Sequence, residues 1–295
     1  MLEGTIIKGI GGFYYIASKD GVYECRARGK FRKEGIKPAV GDHVLISVID
    51  EKNKKGSLDV IDERKSMLAR PRVSNIDQAV IVFASVSPDF NPDIMDRFIV
   101  LAEQQKLGIV ICINKIDIDA DEKYREICGI YEKAGFDIIA VSAADNFGIE
   151  ELREKLKGKI SVLAGPSGVG KSSVLNAIKP DVMAQVGEIS RKIERGRHTT
   201  RQSELIRIDD DTFIVDSPGF TSLDMKGVDP EKLDEYFREF APYLGKCRYN
   251  GCRHINEDSR YCEVKAHVGD DISESRYRRY VDIYNEILDE RKRMK

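Results

Sequence analysis

The run Ile160-Ser161-Val162-Leu163-Ala164-Gly165-Pro166-Ser167-Gly168-Val169-Gly170-Lys171-Ser172-Ser173 decides the fold. A short, mainly apolar strand ends at a glycine-rich turn, and Lys171 opens the helical stretch that follows. That strand–loop–helix context is the one a phosphate-binding P-loop requires. Gly165, Gly168 and Gly170 let backbone amides turn inward and approach phosphates without Cβ interference. The helix adds the positive end of its dipole. Lys171 is the catalytic cation expected at the β- and γ-phosphates, and the Ser172 hydroxyl is an expected Mg²⁺ ligand. Pro166, Ser167, Val169 and Ser173 complete the wrap around the phosphates.

Working outward, the order of the other motifs is unusual. Asn114-Lys115-Ile116-Asp117 has the NKxD form that reads guanine, yet it precedes the P-loop, whereas most GTPases place it near the end. It follows the apolar run Ile109–Ile113. Asp117 can accept hydrogen bonds from both guanine N1–H and the N2 amino group. Adenine lacks that donor pair, which would leave a buried carboxylate unpaired at a cost of roughly 10⁴-fold in affinity. Asn114 is placed to tie this loop to the base and the P-loop, and the Lys115 stem to lie over the ring. Alone, such a tetrapeptide would more simply be an exposed turn. A second strand, 138–141, ends in Ser142-Ala143, the short element whose Ala amide bonds guanine O6, so GTP rather than ATP is the expected nucleotide.

Downstream, Asp216-Ser217-Pro218-Gly219 has the DxxG switch form, with Asp216 for Mg²⁺ through water and the Gly219 amide for the γ-phosphate. Glu188–Gln202 is polar and basic, the expected switch, in which Thr199 or Thr200 closes on the metal. Phe220 stands where Ras-like enzymes keep a water-orienting Gln, so hydrolysis needs another group. His198 is the nearest candidate, since neutral imidazole can orient or deprotonate water near pH 7. The plain alternative is that His198 packs or touches RNA.

These motifs sit in a stretch of short buried strands and helices (around 92–106 and 121–134), an α/β sheet covered on both faces. Residues 67–222 are therefore read as a circularly permuted P-loop domain. Residues 1–66 alternate in short strands between glycine turns, which predicts a small OB-like β-barrel. Val22–Phe31 is read as one strand with Tyr23, Cys25, Ala27 and Phe31 inward and a mainly basic outer face. Residues 1–66 hold 13 basic and 10 acidic residues, against a net charge of −2 for all 295 residues, and RNA binding is their expected role. Glu63–Pro71 reads as a linker.

Residues 223–295 are expected to be mostly helical around a metal cluster. Cys247, Cys252, His254 and Cys262 offer three thiolates and an imidazole, a closed tetrahedral set for one structural Zn²⁺. Such a site can supply about 10–16 kcal/mol of apparent binding energy to a loop-rich segment. Unliganded core cysteines are the plain alternative. The other three cysteines read as ordinary buried residues. In the last helix Tyr277, Tyr280, Val281, Tyr284 and Ile287 recur at core spacing. Its Arg276, Arg278, Arg279, Arg291, Lys292 and Arg293 are read as a solvated face, with RNA contact the alternative. No run approaches the roughly 18 to 20 apolar residues of a membrane helix, and the opening residues lack signal-peptide character. A cytoplasmic location is the default expectation.

A barrel, then NKID, Ser142-Ala143, GPSGVGKSS, a Gly196-Arg197-His198-Thr199-Thr200 switch, DSPG and a Cys₃His cluster resembles one family along the whole chain. It is the ribosome small-subunit-dependent GTPases, the RsgA/YjeQ family. The resemblance implies an OB-fold, a permuted GTPase domain and a zinc domain. It also implies a monomer that binds the 30S subunit and its 16S rRNA late in maturation, with GTP hydrolysis to GDP stimulated by that subunit. His198 matches the histidine of the family's switch and is carried over as the catalytic candidate. Two other readings stay open: a nucleotide-gated RNA-binding module with negligible hydrolysis, and a translational GTPase acting on another ribosomal particle.

Overall fold

The computed structural model describes residues 1–69, 72–180, 203–216 and 223–293. They fall into two compact units, drawn from interleaved stretches of the chain.

The first unit begins with a closed barrel of strands β1 (Leu2–Ile10), β2 (Phe13–Ser18), β3 (Gly21–Ala27), β4 (His43–Asp50) and β5 (Lys55–Ile61), in hydrogen-bonded order β1-β2-β3-β5-β4. Closure depends on the parallel pair of β3 with β5, where Cys25 stands opposite Gly56. A Cβ at Gly56 would lie 2.9 Å from Cys25 Sγ and 3.0 Å from the Ser47 carbonyl oxygen, so only glycine fits. Ile6, Ile16, Tyr23, Cys25, Phe31, Val44, Ile46 and Leu58 fill the interior. The expectation of a single strand over Val22–Phe31 is corrected: β3 stops at Ala27 and helix α1 (Gly29–Lys33) follows. The ladder of β3 with β5 reaches only Leu58, with the Arg28 amide as its last donor. Beyond it the backbone bonds to itself as a helical turn, which swings Phe31 into the core.

The stretch read as a linker carries β6 (Met67–Ala69), paired with β7 (Arg72–Ser74). Asp42, fully buried, stitches the barrel to this hairpin. Its carboxylate accepts from Arg64 Nε and Nη2 at 2.6 and 2.8 Å, Ser74 Oγ at 2.7 Å and the Ala39 amide at 2.8 Å. The unit also contains three strands of the α/β layer. Strand β11 (Ile160–Ala164) runs parallel to β13 (Phe213–Asp216), which pairs antiparallel with the edge strand β12 (Glu204–Arg207).

The second unit holds strand β8 (Gln78–Ala84), buried at every residue, beside β9 (Gly108–Asn114) and β10 (Asp137–Ala140), in order β10-β9-β8. Burial on both faces is why β8 and β9 read as unbroken apolar runs, whereas edge strand β10 buries only Ile139. Helices α2 (Pro92–Gln104) and α3 (Lys123–Lys133) separate the three strands; α4 (Ile149–Leu156) and, beyond Lys171, α5 (Lys171–Ile178) belong to the first unit. Asn91 caps α2, its Oδ1 accepting from the Asp93 and Ile94 amides, with Pro92 at the first helical position.

Residues 223–293 form 3₁₀ turns at Met225–Gly227, Pro230–Tyr236 and Arg238–Phe240, a short helix α6 (Glu263–Ala266) and the long helix α7 (Glu274–Arg293). Their apolar side chains share one cluster with Val100 of α2: Phe237, Phe240, Tyr280, Ile283 and Ile287 pack there with Cys252 and Cys262. The solvated reading of the last helix is corrected at two positions. Arg276 is 1% exposed and Arg279 is 7% exposed. Both are buried because Asp96 of α2 and Glu239 meet them, partners remote in sequence.

Candidate functional site

Asn114 ends β9 and is buried. Its Nδ2 donates to the Val169 carbonyl at 2.9 Å, and its Oδ1 accepts from the Ala143 amide at 3.2 Å. One side chain thus ties the NKxD turn to the glycine-rich loop and to the Ser142-Ala143 loop. Gly170 permits this approach: its φ is +93°, and a Cβ there would lie 2.3 Å from Asn114 Nδ2. Gly165 has φ +136°, and a Cβ there would lie 2.1 Å from the Val82 carbonyl oxygen, so the loop is seated directly on β8. The Ala143 amide, read from sequence as the guanine O6 donor, serves Asn114 here.

Lys115 adopts a left-handed backbone, φ 67°. Its ammonium donates to the Gly168 carbonyl at 2.8 Å and to the Ser87 carbonyl. The lysine stem therefore spans from the base-reading turn to the phosphate loop. Asp117 lies on the following 3₁₀ turn, Ile116–Ile118, exposed and without a hydrogen-bond partner among the described residues. A carboxylate left open to solvent on a rigid turn is available to accept two donors from a ligand. The Ser142 loop is closed on itself: Ser142 and Phe147 exchange backbone bonds of 3.1 Å, and Ser142 Oγ accepts from the Asp145 amide at 3.1 Å.

Lys171 curls over its own loop, donating to the Gly165 and Pro166 carbonyls at 2.9 and 2.6 Å. Burial holds its ammonium below the ordinary pKa of 10.5. Carbonyl dipoles compensate a cation less than an anion would, so an arriving polyphosphate is the stronger partner. Ser172 and Ser173 are exposed on the first turn of α5. Asp216 supplies the last backbone residue of β13. His198, Thr199, Thr200 and Gly219 lie outside the described residues.

Cys247, Cys252, His254 and Cys262 converge, their ligand atoms all within 4.8 Å of one another. His254 Nδ1 lies 3.5, 3.4 and 3.3 Å from the sulfurs of Cys247, Cys252 and Cys262, and Cys247 Sγ is 4.0 Å from Cys262 Sγ. Ordinary Zn–S and Zn–N lengths give tetrahedral edges of about 3.8 Å between sulfurs and about 3.6 Å from sulfur to nitrogen. The four residues therefore fit a zinc ion. Burial pushes the Cys252 and Cys262 thiols up, so thiolates there need a cation at the centre. His267 is no part of this group; its ring stacks on Tyr243 at 4.1 Å.

Sequence reasoning missed the supports of both sites. Asp234 Oδ2 lies 3.4 Å from His254 Nε2, fixing which imidazole nitrogen faces the cysteines. Tyr277 and Tyr280, read only as core, also donate their hydroxyls to the His254 and Arg253 carbonyls at 2.7 and 2.8 Å. Ser87, which holds Lys115, carries no motif. A carboxylate or a carbonyl 20 to 28 positions away gives no local signal; the tyrosine spacing did, although it spoke only of burial.

Residues 61–226 match the family model described as RsgA GTPase, and residues 3–57 match the RsgA N-terminal domain. A protein of Alkaliphilus metalliredigens named small ribosomal subunit biogenesis GTPase RsgA is 46% identical over 293 residues, covering 99% of this chain and 100% of its own. Its namesake from Agathobacter rectalis is 45% identical over 303 residues, covering 99% and 100%. Among solved structures, YjeQ from Thermotoga maritima superposes with a TM-score of 0.82 at 37% identity, covering 97% of this chain and 98% of its own. YloQ, described as a circularly permuted GTPase, also gives 0.82, at 36% identity and coverages of 98% and 96%.

Proposed function

The chain belongs to the RsgA GTPase family and is a GTP-hydrolysing enzyme, and from that premise we propose that it acts in late maturation of the small (30S) ribosomal subunit. Hydrolysis is stimulated by the subunit, and release from it is coupled to hydrolysis. The relatives' name, small ribosomal subunit biogenesis GTPase, supports this reading. The observation that carries the site is Asn114: a single amide ties together three loops whose order along the chain is permuted.

In this reading Asp117 selects guanine through N1–H and the N2 amino group. Lys115 and Asn114 hold the base loop against the phosphate loop. The amides between Gly165 and Ser173 wrap the phosphates, and Lys171 leaves its two carbonyls to meet the β- and γ-oxygens. A GTPase of this family works with Mg²⁺; Ser172, Asp216 and one of Thr199 and Thr200 would hold it. Bound there, the ion would supply charge neutralisation for the phosphates. His198 orients or deprotonates the attacking water, and the Gly219 amide senses the γ-phosphate. Cys247, Cys252, His254 and Cys262 would hold one structural Zn²⁺, a closed set with no position for substrate. The protein works as a cytoplasmic monomer, its barrel and zinc-binding region meeting 16S rRNA. No helix among the described residues is long and apolar enough to cross a membrane.

Phosphate release by the full chain, with and without purified 30S subunits, tests the proposal. Stimulation by 30S is expected; equal rates, or stimulation only by 50S or 70S particles, would overturn it. In the same assay His198→Ala should lose stimulated turnover while keeping GTP affinity, and full activity would remove the catalytic role.

A further inference from the structure

On the loop between the metal-binding cysteines, exposed Arg248, Tyr249 and Arg260 gather around a half-buried Tyr261, a group for which neither the nucleotide nor the metal has a use. Arg248 and Tyr249 directly follow Cys247, and Arg260 and Tyr261 directly precede Cys262. The Arg248 amide donates to the Tyr261 carbonyl at 2.9 Å, which brings the two ends of the loop side by side. The Arg248 guanidinium carbon lies 4.8 Å from the Tyr261 ring centroid and 5.8 Å from that of Tyr249. Arg260 lies 5.6 Å from the Tyr261 centroid on the same group, and the two rings meet edge to face at 5.9 Å.

Tyr249 is 51% exposed, and the Arg260 side chain is 75% exposed. Arg260 is neutralised by Asp258 through a two-pronged pair of 3.0 and 2.9 Å. Arg248 has no carboxylate partner among the described residues. The loop thus presents the exposed Tyr249 ring and one uncompensated, planar cation backed by half-buried Tyr261, positioned by residues adjacent to two metal ligands.

We infer that Arg248, Tyr249 and Tyr261 form a stacking site for an unpaired nucleobase, with Arg248 also meeting a flanking phosphate. Aromatic rings and guanidinium planes accept any base by its π-face and need no sequence code. A duplex offers no such face, since its bases are already stacked. The inference rests on the small-subunit reading only for the source of the RNA, which would be a single-stranded segment.

The test uses the full, zinc-loaded chain and a fluorescent single-stranded RNA of about ten nucleotides, with zinc content measured on each variant. Tyr249→Ala should weaken binding about 5- to 150-fold, whereas Tyr249→Phe should bind like the parent. Arg248→Ala should lower the salt slope of binding by roughly 0.7, the value of one phosphate contact on a single strand. Because the barrel can also take RNA, a 4-thiouridine strand is cross-linked and the adduct mapped; it should fall on the peptide spanning 248–261. Unchanged affinity of both alanine variants together with no adduct on that peptide would overturn the inference. So would equal losses for an abasic strand, which would mean phosphate contact without stacking. Loss of 30S binding with RNA binding intact would assign the group to a protein partner instead. The 30S-stimulated hydrolysis of the parent is measured separately, so a failure of the functional reading is distinguishable from a failure of this one.

Discussion

Asp96 on α2 and Arg276 on α7, 180 positions apart in the chain, form an ion pair in which each side chain is 1% exposed. Glu239 takes the other prongs of the same guanidinium, and Arg279 pairs with the second oxygen of Asp96, so two cations meet two anions. The rings of Tyr131 and Phe237 flank Arg276 at 5.2 and 5.1 Å. Desolvation of such a cluster is offset only while it stays complete. Arg276→Met should therefore destabilise the fold by about 3–5 kcal/mol, because it strands a buried carboxylate. Arg276→Met with Glu239→Leu leaves Arg279 matched to Asp96 and should recover most of the loss. Urea unfolding checks both, and a single variant as stable as the parent would refute the account.

Gly170→Ala tests the loop geometry. The new methyl would meet Asn114 Nδ2 on a backbone already at φ +93°. Either the turn or Asn114 must move, breaking the bond to Val169. Strain of about 1–3 kcal/mol at such a position should appear as a weakening of GTP-analogue binding by about 5- to 150-fold. The circular dichroism spectrum should stay that of the parent. Unaltered affinity would mean that Asn114 does not organise the site.

Asp117→Asn should exchange the base. In the proposed site the carboxylate would accept from N1–H and the N2 amino group of guanine, whereas an amide can donate to the carbonyl that xanthine carries at that position. GTP affinity should fall by about 10⁴-fold, with xanthosine triphosphate gaining in its place. A variant that still prefers GTP would show that Asp117 does not read the base.

How far this architecture was legible depends on the range of the signal. The barrel, the parallel strands and the loops at Gly165–Gly170 and Asn114–Asp117 declare themselves through alternation, apolar runs and glycines needed at positive φ, all local properties. Arg276 and Arg279 did not, because an arginine on a helix reads as solvated until its carboxylate is found, and Asp96 lies on another element. The end of β3 was misplaced for a related reason: Phe31 keeps the apolar alternation, but the ladder that would hold it extended runs out at Leu58. Asp234 carries no signal of its own beside a cysteine–histidine motif that looks complete without it.

Lys171 should make nucleotide affinity pH-dependent. Burial lowers its folded pKa below 10.5, so between the lowered and ordinary values the unfolded chain binds more protons. Stability of the free protein should accordingly rise with pH across that window. Binding has the opposite sign: phosphates favour the charged ammonium, so affinity for a GTP analogue should fall as pH rises through the lowered value. Guanine N1 also ionises at alkaline pH, and Lys171→Arg separates the causes, since arginine stays charged. The difference between the two pH profiles is the signature, and superimposable profiles would exclude Lys171 from phosphate binding.

Asp234 offers a test of the metal reading that is independent of catalysis. Its carboxylate faces His254 Nε2 at 3.4 Å, while Nδ1 faces the three sulfurs. An imidazole held this way leaves Nδ1 facing the three sulfurs, where it would ligate the ion that this set would hold, with the carboxylate fixing the ring orientation. Asp234→Leu should weaken zinc affinity about 10- to 100-fold in competition with a chelator. Asp234→Asn, whose side-chain oxygen can still accept from Nε2–H, should lose less. Serine substitutions at Cys25, Cys112 and Cys128, which lie outside the cluster, should leave zinc content at one ion per chain. With the metal removed from the parent, the hydroxyl bonds of Tyr277 and Tyr280 would hold a loop with no centre, and amides between 247 and 262 should lose hydrogen-exchange protection first. Zinc affinity indifferent to Asp234→Leu would mean that the contact is packing alone, and a folded chain that takes up no zinc would remove the metal centre altogether.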